Sequence, residues 1–135
     1  MDTNEIKAKI LQFFDALPHV VFIVLFGSYA QGKETTTSDV DVAVFFERAH
    51  VPTGLTLIEW QEDLSGLLEK DVDLVCLNLA SPILGMQVYQ YGKILKVLNE
   101  KEVAKYQMQL FYDYSELKEI RAPMEENILN RKIHD

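Results

Sequence analysis

Asp39 and Asp41 stand one residue apart in "SDVDVAV", at the front of an apolar stretch that reads as a buried strand. A strand sends side chains i and i+2 to one face, so both carboxylates project together while Val40, Val42 and Val44 turn to the core. Further along the carboxylate face come Ala43 and Phe45, which are apolar and confine the charge to the strand's first end. Two like charges that close repel and drive a proton onto one of them. A divalent cation removes the conflict, and Mg²⁺ favours carboxylate and water oxygens while bridging to substrate phosphates. Asp73, in "DVDLV", repeats the pattern on another apolar run, and a third carboxylate could share a metal or take a proton from an incoming hydroxyl. Asp71 competes with it and also suits a turn after Lys70. Taken alone, the Asp39–Asp41 pair reads first as ordinary solvated strand-end residues, and Asp73 alone is a weaker signal still.

Upstream, "HVVFIVLF" ends in Gly27-Ser28. A glycine there lets the backbone turn sharply and approach a ligand closely. Ser28 opens a helical turn whose amide and hydroxyl could donate to a phosphate. Singly this is a plain turn with a serine cap. The combined pattern, Gly-Ser, ten residues, Asp, one residue, Asp, would arise by chance in a chain of this length on the order of one time in a thousand. It is not the Walker loop, because no G-x4-G-K-[ST] is present.

The elements that must hold these residues follow from periodicity. Residues 4–17 place Ile6, Ile10, Phe13 and Phe14 at helical spacing, with Asp2 or Thr3 as cap and Pro18 as terminator. Strands are expected at 19–26, 39–46, 71–78 and 93–98. One helical turn is expected near Tyr29–Gln31. A helix over 55–69 carries Leu57, Trp60, Leu64, Leu67 and Leu68 on one face. Ser81-Pro82 reads as a cap followed by a first-turn proline, and Gly92 as the residue just past that helix. A long helix from about residue 100 carries Val103, Tyr106, Leu110, Tyr114 and Leu117. Pro123 is expected to break it, leaving a tail helix with Met124, Ile128 and Ile133. Alternating strands and helices give an α/β layered domain, with strand order and direction left open.

At 135 residues the chain has the length of one domain, 1–135, with a core over about 1–98 and C-terminal helices over about 100–133. Its net charge of −8 argues against gripping bulk nucleic acid through phosphates, and suits a basic protein partner. No apolar run is long enough for a membrane span, and the first residues show no signal-peptide pattern. The single Cys76 forms no internal disulfide and fits a reducing cytoplasm, as a small core residue. His19, His50 and His134 show no metal-ligand spacing along the chain, so no zinc site is expected. Trp60 and the tyrosines at 89, 91, 106, 112 and 114 read as packing or interface. The apolar residues beyond Pro123 could dock on a partner.

The stretch "LFGSYAQGKETTTSDVDVAV", with Asp73 in "VDLV", resembles the signature of the minimal nucleotidyltransferases of the DNA polymerase β-like superfamily. The resemblance covers about residues 1–98. It implies the nucleotidyltransferase fold, an α/β (α+β) arrangement with a small mixed sheet flanked by helices, here with a C-terminal helical extension. It implies that Asp39, Asp41 and Asp73 bind two Mg²⁺ ions, and that Gly27 and Ser28 hold the triphosphate of a nucleoside triphosphate, usually ATP. Relatives often carry a basic residue where this chain has Tyr29 or Gln31, and only Lys33 is near in sequence. Many bacterial members of this size pair with a HEPN-type ribonuclease toxin. The implied role is an antitoxin that moves AMP from ATP onto a toxin tyrosine. Two alternatives are an antitoxin that masks its toxin by binding alone, and a transferase acting on a small hydroxylated molecule of the aminoglycoside type. The absence of a second domain disfavours the latter.

Overall fold

A strand without one polar side chain, β1 (Val20–Phe26), lies inside the sheet. The computed structural model describes the backbone of residues 1–134 and the side chains of residues 1–117. The strand order is β3-β2-β1-β4, with β2 over Val40–Phe46, β3 over Val72–Cys76 and β4 over Lys93–Val97. β1 runs antiparallel to both β2 and β4, while β2 and β3 run parallel. The sheet is therefore mixed, and it supplies the order and directions that periodicity left open. An apolar run such as VVFIVLF, buried on both faces, needs cover on each.

On one face, Ile23, Leu25, Val40, Val42, Val44 and Phe46 share a core with Ile6, Ile10 and Phe14 of α1 (Thr3–Asp15) and Leu64 and Leu68 of α3 (Gly54–Leu68). On the other, Val21, Phe22, Val24, Ala43 and Phe45 meet Val88 of α4 (Pro82–Tyr91) and Val103 of α5 (Glu100–His134). Tyr106 of α5 lays its ring against Phe45, with centroids 4.6 Å apart. A register shift between Val20 and Phe22 brings Val21 and its neighbour Phe22 into the same core. Leu67, expected on the buried face of α3, is instead exposed, because the core contact follows Leu64 and Leu68.

The helix starts follow capping chemistry. Asp2 accepts from the Glu5 amide at 2.8 Å, and Ser81 accepts from the Leu84 amide at 3.2 Å with Pro82 at the first helical position. Gly92 ends α4 in extended backbone rather than left-handed; a Cβ there would strike Val24 and the Val88 carbonyl.

The break expected at Pro123 does not occur, and α5 spans Glu100–His134. A proline removes one amide donor and crowds one carbonyl, which bends a helix as readily as it ends one. No glycine flanks this one, and glutamate, lysine and arginine around it are good helix formers.

Candidate active site

The register of the three strands assembles the acids. Asp41 lies beside Asp73 across the parallel β2–β3 pair, and opposite Phe26 across the antiparallel β1–β2 pair. Neighbouring strands lie about 4.8 Å apart, so aligned side chains on one face are within reach of each other. Asp39 stands just before β2, two residues from Asp41. Asp41 is half-buried, whereas Asp39 and Asp73 are exposed. Burial, then the charges of Asp73 and Asp39, hold the Asp41 carboxyl above its ordinary pKa of 3.8. Both neighbours act on Asp41, so the three expected acids share one site. Asp71 is not among them; its carbonyl accepts from the Val40 amide at 2.9 Å and guides the chain into β2.

Gly27 follows β1 and adjoins the same cluster. Its φ of 71° is left-handed, and a Cβ there would land on Asp41 Oδ2. The position thus excludes a side chain on both backbone and contact grounds. The short α2 (Ser28–Gln31) begins at once, with Tyr29 and Ala30 buried beneath it. The Ala30 and Gln31 amides return to the Gly27 carbonyl at 3.2 and 3.3 Å. By helix geometry the Ser28 and Tyr29 amides are not used inside the turn. Ser28 is half-buried.

The loop between α2 and β2 closes on itself, with the Thr35 amide donating to Ser38 Oγ at 2.8 Å. Beside it lies a cleft of about 530 Å³ lined by Thr36, Ser38, Asp39, Ser65, Lys70 and Asp71, among others. Lys70 Nζ donates to the Thr36 carbonyl at 3.3 Å and sits 6.0 Å from the centre of the Tyr29 ring. Lys33 is the cation near in sequence, whereas Lys70 reaches this loop only through the fold. Its signal was its place immediately before the third strand, which becomes informative once that strand is known to lie beside β2.

Two of the three histidines meet in space despite their distance along the chain. His19 and His50 stack with ring centroids 3.5 Å apart, and His19 Nδ1 lies 2.9 Å from Glu47 Oε2. Spacing along the chain cannot register this pair, because antiparallel pairing brings the start of β1 to the end of β2. The cluster occupies the sheet end away from the three aspartates.

Three carboxylates with one disfavoured as an anion form a site short of positive charge. Among the described residues, the ion pairs engage other acids. This donor set, all carboxylate oxygen, fits Mg²⁺.

Residues 8–101 match the family model described as polymerase beta, nucleotidyltransferase. The chain belongs to the polymerase beta nucleotidyltransferase family. Within this nucleotidyltransferase family, it is 41% identical over 81 residues to the protein adenylyltransferase MntA of Shewanella oneidensis, which is 60% of this chain and 57% of that one. The match thus spans little more than half of that relative's length. A second protein adenylyltransferase MntA, of Aphanizomenon flos-aquae, is 27% identical over 139 residues, covering 93% of this chain and 89% of that relative. Among solved structures, a chain of a toxin-antitoxin with AMP-PNP superposes with a TM-score of 0.82 at 31% identity, over 91% of this nucleotidyltransferase and 98% of that chain. A chain from the complex of tri-AMPylated Shewanella oneidensis HEPN toxin with MNT antitoxin gives 0.78 at 27% identity, over 95% and 99%.

Proposed function

We propose that this nucleotidyltransferase moves AMP from ATP to a tyrosine hydroxyl of a HEPN-type toxin and so acts as its antitoxin. The observation that carries the reading is the meeting of Asp39, Asp41 and Asp73 at one strand end, against Gly27, where an added Cβ would strike the Asp41 carboxylate. The adenylyltransferase relatives and the toxin–antitoxin complexes among the structural matches support the choice of nucleotide and acceptor.

The residues take these roles. The Gly27 backbone, the Ser28 amide and the Ser28 hydroxyl hold β- and γ-phosphate oxygens. Lys70, which lines the cleft with Asp39 and stands over the Tyr29 ring, adds the positive charge that Tyr29 and Gln31 do not. Asp39, Asp41 and Asp73 hold the metal. When bound, two Mg²⁺ ions supply neutralisation of the attacking and leaving oxygens in an in-line displacement. The acceptor oxygen bonds to the α-phosphorus, the bond to the β-phosphate oxygen breaks, and pyrophosphate leaves. The hydroxyl proton passes to the Asp73 carboxylate, which is exposed on an edge strand where a protein acceptor can reach it. Phosphoryl transfer of this type depends on positioning and charge more than on covalent assistance.

Masking of the toxin by binding alone is the second reading, and exposed Met108, Phe111 and Tyr112 on α5 favour it as a contact surface. Purified protein is incubated with ATP labelled at the α-phosphate, Mg²⁺ and the toxin encoded beside it. Label on the toxin is expected, and Asp39→Asn with Asp41→Asn is expected to lower it at least a thousandfold, on the order of losing metal-assisted charge stabilisation, with an unchanged circular dichroism spectrum. A tight unlabelled complex in the wild type would instead support masking.

A further inference from the structure

We propose that His19, Glu47 and His50 form a second metal site, for a divalent ion of the zinc class. It lies at the opposite end of the β1–β2 pair from Asp39 and Asp41. The strands between are seven residues long, which separates the two sites by about 20 Å. One ligand atom from each of the three side chains lies within 4.8 Å of the others.

The three residues are held to one another by main chain. The Glu47 amide donates to the His19 carbonyl at 2.9 Å, and the His50 amide donates to the Glu47 carbonyl at 2.8 Å. Residues Arg48–His50 form a short 3-10 turn that returns the His50 ring over His19. One residue before Glu47, both backbone groups of Phe46 are bonded to the Asn78 side chain, each at 2.9 Å. His19 itself adopts a left-handed φ of 70°. The cluster is therefore built from fixed backbone.

Two imidazoles and one carboxylate suit zinc and its first-row neighbours, whereas Mg²⁺ prefers oxygen alone. The rings now lie face to face, 6° from parallel. All three side chains are exposed, and the torsion joining an imidazole to its Cβ is soft, so the rings can tilt to converge on one ion. Three protein ligands leave a position for water. An ion there ties the start of β1 to the end of β2, and so stabilises the folded chain by mass action. This site stands independently of the nucleotide-transfer reading.

The test is calorimetric titration of chelator-stripped protein with zinc chloride in excess Mg²⁺, with His134→Asn introduced throughout to remove the remaining histidine. One zinc per chain is expected, retained when Asp39→Asn and Asp41→Asn are added. His50→Ala and Glu47→Gln should each weaken it at least about tenfold while leaving the metal-free melting temperature unchanged. Zinc at a hundredfold excess over Kd should raise melting by roughly 5–10 °C. Binding that survives both His50→Ala and Glu47→Gln, or that vanishes with the two asparagine substitutions, overturns the proposal.

Discussion

Asp41 concentrates the electrostatic conflict of the site in one half-buried carboxyl. Its pKa is raised by burial and by Asp73 and Asp39, so the folded state binds a proton there more tightly than the unfolded chain does. Such a group costs stability when ionised. The cost grows as pH rises from the unfolded value of 3.8 through the folded one, and is complete above it. Asp41→Asn should therefore raise the melting temperature at pH 7 in metal-free buffer, and raise it less at pH 4, by differential scanning calorimetry. Gly27, Ser28, Asp39 and Asp41 were legible because all four lie in one local run whose turn and strand geometry is fixed by short-range sterics. Asp73 was legible as a repeat of the pattern, although its contact with Asp41 depends on the parallel register. Lys70 and the His19–Glu47–His50 cluster were not, since tertiary neighbours alone bring them together.

At the scale of elements, the Asn78 side chain extends the sheet where β3 has ended. Its amide nitrogen donates to the Phe46 carbonyl and its oxygen accepts from the Phe46 amide, each at 2.9 Å. The same oxygen accepts from the Cys76 thiol at 3.4 Å. Burial pushes that thiol above its usual pKa, in keeping with a packing role for Cys76. Asn78→Ala leaves two backbone groups in a part-buried position unmatched. A loss of about 1–3 kcal/mol is expected, read as a lower urea midpoint at constant slope. Helices and strands were readable because their apolar periods and capping residues are strong. Pro123 was misjudged because a proline's local penalty is fixed, while the outcome depends on how firmly both flanks hold a helix.

Across the whole molecule, α5 closes the second core, which strand and turn chemistry alone would leave open to water. Tyr106 touches both Phe22 and Phe45, at ring distances of 5.7 and 4.6 Å. Burial lifts its phenol to about 12, so it stays neutral at physiological pH. Tyr106→Ala should cost about 2–4 kcal/mol by chemical denaturation. Among the described residues, no helix is long and apolar enough to cross a membrane.

The placing of β1 carries one more implication. It is bonded on both sides, by β2 and β4, and most of its side chains are buried. Amides flanked in this way exchange with solvent only when the entire fold opens. Gly27 continues directly from that strand, so the turn proposed to hold the phosphates is rooted in a strand whose amides should be among the last to exchange. Asp73 belongs to a border strand that can loosen alone, which under the proposed function leaves adjustment to a bulky incoming acceptor to that side.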